Sequence, residues 1–385
     1  MRDLYLPYGK QFIDEDDITA VVDILRGDFL TTGPSIMDFE KHVANYVGAK
    51  YAVAFSNGTA ALHGATFAAG IAEGDEVITT PLTFAASANC VLYQGGTVVF
   101  ADIDPKTYNI NPTEIEKKIT PETKAIIPVH FTGQPVQLNE IHALAKKYSL
   151  VVIEDAAHAL GSTYKGKRIG SLSDMTMFSF HPVKHITTGE GGIITTNNKE
   201  YYNKLIQFRS HGITRDPAVM KENHGPWYYE MQFLGYNYRM TDIQAALGSS
   251  QIKKLDGFVN RRKEIIETYN KAFEQISQVQ IPYQLPETDS SWHLYVLKLN
   301  LDQLAVSRKE VFEELQKLNI GVNVHYIPVH MLSYYKQLGY KKGSLPLAEK
   351  LYEEIISLPL FPLMQEQDVE DVIEAVKLVI GKVKK

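Results

Sequence analysis

Lys184 stands in the stretch MTMFSFHPVKHITTGEGGIITT, where an apolar run ends at Phe180, a turn carries Pro182, and a loop rich in Ser, Thr and Gly follows. Lysine is ordinarily a solvated surface residue. Here its neighbours argue for chemistry: Ser179 and Thr187 are small hydroxyl donors, and Gly189, Gly191 and Gly192 let backbone approach a ligand closely. A lysine so held suits attack on a carbonyl group, first as the amine that condenses with it and then as the base that moves a proton. The GEGG stretch is not a dinucleotide fingerprint, because it lacks the GxGxxG spacing and precedes a strand rather than a helix.

Three other segments carry candidate partners. LVVIEDAAHALGS brings Glu154 and Asp155 to the end of a strand, where open α/β sheets hold their ligands. Taken alone, Asp155 reads better as the cap of the following turn. FSNGTAALHGATFAAG passes from a strand through Ser56, Asn57 and Gly58 into a helix that opens with Thr59, Ala60 and Ala61. Free N–H groups at such a helix start make a phosphate seat, although a plain capped helix is as common. Together with Ser179 it gives two segments that could converge on one phosphate. In TTPLTFAASANC, Phe84 could lay its ring against a planar heteroaromatic group, although by itself it reads as a core residue.

The elements that must position these residues are legible as apolar patterns. Seven short runs, beginning near Tyr51, Glu76, Thr97, Lys124, Leu150, Met175 and Gly191, alternate with helical periodicity. This predicts an α/β fold with a mainly parallel seven-stranded sheet flanked by helices. From Arg239 to Ile276 the pattern predicts one long helix with Gly248 and Gly257 as its weak points. Beyond Pro282 it changes to a smaller α+β arrangement: strand WHLYVLKL, helix SRKEVFEELQKL, strand VNVHYIPV, then helices LPLAEKLYEEII and EQDVEDVIEAVKLVIGKVKK. The expected division is a large unit over 1–245 and a linking helix with a small unit over 246–385.

Composition narrows the function classes. The 385 residues are 44% hydrophobic and 22% charged, which is an ordinary globular balance. A formal net charge of −6 leaves no basic stripe for nucleic acid. The single cysteine, Cys90, can form neither an intrachain disulfide nor a thiolate metal cluster, which fits a reducing compartment. The start MRDLYLPYGKQFIDEDD meets acidic residues before any apolar run, and no uninterrupted membrane-spanning stretch follows. The expectation is a cytoplasmic protein with no membrane segment and no metal site.

Asp155-Ala156-Ala157-His158, then Phe178-Ser179-Phe180-His181 with Lys184, then Gly189-Glu190-Gly191-Gly192, resemble the sugar aminotransferases of the DegT/DnrJ/EryC1/StrS family. The likeness extends from LTTGPSIMDFE through FRSHGITR and LGYNYRMTDIQAALG to VHYIPVH. It implies a fold-type I transferase using pyridoxal phosphate, with L-glutamate as amino donor and a UDP-linked keto sugar as acceptor. It implies Lys184 as the Schiff-base lysine and Asp155 as the carboxylate at the ring nitrogen. His158 falls where a side chain contacts the ring hydroxyl, Thr59, Ala60 and Ser179 where the phosphate is held, and Phe84 where an aromatic stacks. Asn237 matches a residue that reaches the neighbouring subunit's phosphate, which implies a homodimer with shared sites. Substrate contacts are carried over to Tyr8, Asp28, Phe29, Leu30, Thr31, Gly58, Ser179, Asn237, Arg239, His325, Tyr326, Ile327 and Pro328. Sugar dehydratases of the same fold place histidine where Lys184 stands, which argues against that activity. Non-catalytic regulators on this scaffold normally carry a DNA-binding module, for which no residues remain.

Overall fold

The structure, a computed structural model, describes residues 2–385. The seven apolar runs become β1 (Tyr51–Phe55), β2 (Glu76–Thr79), β3 (Thr97–Phe100), β4 (Thr123–Ile127), β5 (Val151–Asp155), β6 (Met175–Ser179) and β7 (Gly192–Thr196). They form one sheet in which β7 lies antiparallel between β1 and β6, while β6, β5, β4, β2 and β3 follow as parallel neighbours. Successive residues divide between two cores. Ala54, Ile126, Val152 and Ile193 enter one face, and Val53, Ile127, Ile153 and Ile194 the other. Because both faces are covered, the strands read as near-continuous apolar runs.

Helices α2 (Pro34–Val47) and α3 (Gly58–Ala68) pack against this sheet, and α1 (Glu15–Arg26) lies against the helix Asp242–Gln251. Phe39, Val43 and Val47 of α2 fill the first core, and Ala61, Leu62 and Ala65 of α3 the second. A further core joins Tyr269 and Phe273 of the helix Leu255–Phe273, Tyr295 and Leu297 of the strand Tyr295–Leu299, and Val372 and Val376 of the helix Glu366–Val383. Leu6, from the start of the chain, is buried in this same core. Among the described residues no helix is long and apolar enough to cross a membrane.

Three expectations are corrected. The helix expected over Arg239–Ile276 starts at Asp242, capped by Thr241 with Gln244 in a reciprocal box. A 3-10 turn at Ile252–Lys254 then separates Asp242–Gln251 from Leu255–Phe273. The turn lies where Gln251 binds Asp17 at 2.6 Å and Lys254 binds Asp14 and Asp17, so α1 anchors the bend. The strand expected at VNVHYIPV makes only one bridge, Asn323 to Ser357, before the chain leaves the sheet at His325 and Tyr326. The last residues of the expected helix LPLAEKLYEEII form the strand Ile355–Leu358 instead, paired antiparallel with Tyr295–Leu299. The β-branched pair Ile355-Ile356 favours that pleated, buried setting over a helix end.

Candidate active site

β5 and β6 run parallel with Asp155 opposite Met177, so both strands end at the same edge of the sheet. β7 pairs with β6 and β1 at once, and Gly192 lies opposite both Ser179 and Phe55. A Cβ on residue 192 would sit 2.5 Å from the carbonyl oxygen of Asn57. Glycine there lets the end of β6 press against the start of α3. Asn57 caps α3 by accepting the Ala60 N–H at 2.8 Å. The first-turn N–H groups of Gly58 and Thr59 lie outside the helix's own ladder.

These ends open on a cavity of about 850 Å³. Lys184, Asp155, His158 and Ser179 line it from the loops and strand ends, and Gly58, Thr59 and Ala60 from the start of α3. Phe84, Tyr8, His325 and Tyr326 complete the expected residues found there. Phe84 is largely exposed, with its ring 6.3 Å from that of Tyr326. The Tyr326 hydroxyl is 2.9 Å from His158 Nε2.

Burial sets the charge balance. Asp155 Oδ2 accepts from Ser87 Oγ at 2.6 Å and Oδ1 from the Ala157 N–H at 3.1 Å. Desolvation nevertheless pushes its carboxyl above the usual range, against the opposing pull of Ser87, Ala157 and Lys184. Among the described residues no ion pair holds it. Lys184 is half-buried where it meets the cavity, and desolvation brings its ammonium down to about 8, although Asp155 favours the charge. Burial, then Lys184, brings His325 down to about 3. His158 and His293 are likewise held well below the ordinary histidine range by burial first and Lys184 second.

The remaining expected residues lie elsewhere in the chain's own fold. Thr31 bridges Thr241, and the Leu30 carbonyl accepts the Asp242 N–H at 3.0 Å, which ties the Asp28–Thr31 stretch to the start of Asp242–Gln251. Phe29 and Arg239 share a separate pocket of about 410 Å³ with Arg209 and Ser210. Asn237 is exposed and bridges Ser210. Ile327 is exposed and Pro328 is not part of the cavity wall. Residues not singled out from the sequence also line the cavity, notably His293, His63, Tyr93 and Tyr238. Ser87 stands just behind it on Asp155. Asn57, on the sequence's approach to α3, lines the cavity too and is the N-cap of that helix.

The site fits the pyridoxal phosphate that the resemblance implies. A buried carboxyl lacking a full cationic partner suits a protonated ring nitrogen, a lysine of lowered basicity suits a carbonyl, and a helix start beside Ser179 suits a phosphate. Among the described residues no cluster could hold a metal ion.

The comparisons agree with this geometry. The spore coat polysaccharide biosynthesis protein SpsC of Bacillus subtilis is 45% identical over 98% of both chains. The UDP-4-amino-4,6-dideoxy-N-acetyl-beta-L-altrosamine transaminase of Campylobacter jejuni is 40% identical over 99% of both. Among solved structures, Spr1654 of Streptococcus pneumoniae in its PLP form superposes with a TM-score of 0.91 at 32% identity, covering 98% of this chain and 99% of that one. Helicobacter pylori PseC, an aminotransferase involved in the biosynthesis of pseudoaminic acid, gives 0.91 at 34% identity, covering 98% and 100%. With residues 11–377 also matching the family model, the chain belongs to the DegT/DnrJ/EryC1/StrS aminotransferase family.

Proposed function

We propose that the protein is a pyridoxal-phosphate-dependent sugar aminotransferase that moves the amino group of L-glutamate to C4 of a UDP-linked 4-keto-6-deoxy-N-acetylhexosamine, in a pathway of the pseudaminic acid type. The observation that carries this reading is the meeting of Lys184, Asp155 and the start of α3 around one cavity. Pyridoxal phosphate, when bound, supplies the electron sink and carries nitrogen between the two half-reactions.

The chain's own residues divide the remaining work. Asp155 would keep the ring nitrogen protonated, and Lys184 Nζ moves a proton from one reacting carbon to another within each half-reaction, in opposite directions in the two halves. Thr59, Ala60 and Ser179 hold the phosphate, His158 meets the ring hydroxyl, Phe84 covers the ring, and Gly58 borders the substrate. Tyr8, His325 and Tyr326 face the sugar. Asn237, Arg239 and the Asp28–Thr31 stretch act across a homodimer, serving the cavity of a second copy, and Ile327 and Pro328 border the sugar's path. In this reading residues 1–245 carry the cofactor, and residues 246–385 close over it in a cytoplasmic enzyme.

The names of the Campylobacter and Helicobacter relatives support the sugar assigned here. A second reading keeps the chemistry and changes the sugar to another nucleotide-linked keto sugar, of bacillosamine or aminoarabinose type. Its support is the higher identity to the Bacillus polysaccharide protein. The test incubates purified protein with glutamate and a panel of UDP-linked 4-keto-6-deoxy-N-acetylhexosamines, following the sugar's mass and its C4 stereochemistry by NMR. An amino sugar of altro configuration supports the first reading, and another amino sugar the second. No amino sugar from any keto sugar defeats both.

A further inference from the structure

Beside Lys184 stands a histidine that no motif in the sequence marks. His293 Nε2 lies 3.4 Å from Lys184 Nζ, and the residue is buried. Its position is built by backbone. Trp292 has a φ of 51°, in the left-handed region that bulky L residues avoid. Its N–H is held by Ser290 Oγ at 3.1 Å. Buried Arg262 donates to the carbonyls of His293 at 3.2 Å and Leu360 at 2.8 Å, and the His293 N–H donates to the Thr132 carbonyl at 2.8 Å. Strain fastened from several sides in this way characterises functional segments.

The tautomer follows from the other ring nitrogen. His293 Nδ1 is buried and has no hydrogen-bond partner among the described residues. A buried N–H left without an acceptor is rarer than a buried acceptor left bare, so the ring proton belongs on Nε2, toward Lys184. An Nε2–H can bond Nζ only through the amine's lone pair, which an ammonium lacks.

Resting on the reading of Lys184 as the proton-moving lysine, we propose that His293 is a catalytic residue: by donating its Nε2–H to Nζ it holds the Lys184 amine in its unprotonated, proton-accepting form. The other groups around the pair set the balance. Arg262, His185 and His158 face His293, and His325 and Lys184 also repel one another in their charged forms. Asp155 is the carboxylate that favours an ammonium at Lys184. When Nζ takes a proton from the substrate carbon, its lone pair is occupied and the Nε2–H contact becomes repulsive. The proton is then returned in the next step rather than kept.

The test uses the full chain freed of cofactor and measures, across pH, how fast it captures added pyridoxal phosphate as a visible absorption band. Capture needs the unprotonated amine, so the midpoint of the pH dependence reads Lys184. His293→Leu is expected to move that midpoint up by about one unit, a roughly tenfold slower capture near neutrality. His293→Gln, whose amide N–H takes the place of Nε2–H, is expected to stay close to wild type. An unmoved midpoint in His293→Leu overturns the proposal, as does a shift in His293→Gln as large as that in His293→Leu. NMR of ring-labelled histidine in the wild-type protein needs no variant: an Nε2–H tautomer at His293 supports the proposal and an Nδ1–H tautomer overturns it. Wild-type protein that captures no pyridoxal phosphate at any pH defeats the cofactor reading itself, and does so before any variant is compared.

Discussion

Ser87 Oγ donates to Asp155 Oδ2 at 2.6 Å across 68 residues of sequence, and is itself in contact with Thr83 Oγ1 at 2.7 Å. The hydroxyl pair therefore supports the carboxylate, with Thr83 reaching the cavity wall and Ser87 holding Asp155. A donor to a carboxylate favours its charged form. Ser87→Ala is expected to raise the Asp155 carboxyl further, moving the acid limb of the kcat/KM profile up by about one pH unit. A profile superimposable on wild type would show that Ser87 does not tune Asp155.

Asp155 has a second consequence, for stability. Its carboxyl is raised in the folded chain by desolvation, so its favourable contribution is present below the unfolded value of 3.8 and is lost as pH rises through the folded value. Above 3.8 the cofactor-free protein thus loses that contribution, because the unfolded chain releases the proton more readily than the folded one. Asp155→Asn is expected to raise the melting temperature of the cofactor-free protein at neutral pH but not below pH 3.8. The same variant is expected to lose activity by about a hundredfold or more. Calorimetry at the two pH values checks the sign, and a lower melting temperature at neutral pH would refute it.

How much of this was legible in the sequence depended on how local the signal was. The seven strands were readable because a sheet buried on both faces leaves unbroken runs such as Ala125 to Val129. Lys184, Ser179 and the Thr59 helix start were readable because small residues and glycines cluster beside them. His293 and Ser87 were not. His293 meets Lys184 from 109 residues downstream, and the sequence SSWHLYVLKL around it reads only as the approach to a strand. The Asp28–Thr31 stretch was legible through resemblance alone, and in the chain's own fold Leu30 and Thr31 meet Asp242 and Thr241.

Glu154, one residue before Asp155, points into the opposite face. His130 Nδ1 accepts the Val136 N–H at 3.1 Å, which leaves Nε2 to donate to Glu154 Oε2 at 2.6 Å. Thr176 donates to the other oxygen at 3.1 Å. Both members of the pair are fully buried, so removing one strands the other. Glu154→Ala is expected to cost about 3 kcal/mol in denaturant unfolding. Glu154→Gln, which keeps an acceptor for His130, is expected to cost less than half of that. Equal losses in the two variants would show that packing, and not the hydrogen bond, holds the end of β5.

Two glycines that look alike in the sequence should respond in opposite directions. Both Gly248 and Gly257 weaken a helix by their backbone freedom, and alanine at an exposed position recovers roughly 0.5–1 kcal/mol. Gly257 meets that condition: a Cβ there has nothing within 4 Å. Gly257→Ala is expected to stabilise the protein by that amount. At Gly248 a Cβ would lie 2.6 Å from the Phe39 ring and 2.8 Å from Thr188 Cγ2. Phe39 is fully buried in the first core, so it has no free space to yield, and Thr188 belongs to the loop that follows Lys184. Overpacking of this kind costs about 1–3 kcal/mol, which exceeds the helix gain. Gly248→Ala is expected to lower stability and, by pushing Thr188, to weaken cofactor capture, both read on the same preparation by melting and by the visible band. If Gly248→Ala instead stabilises the chain as Gly257→Ala does, the close packing of α2 against the helix Asp242–Gln251 is not what requires a glycine at that position.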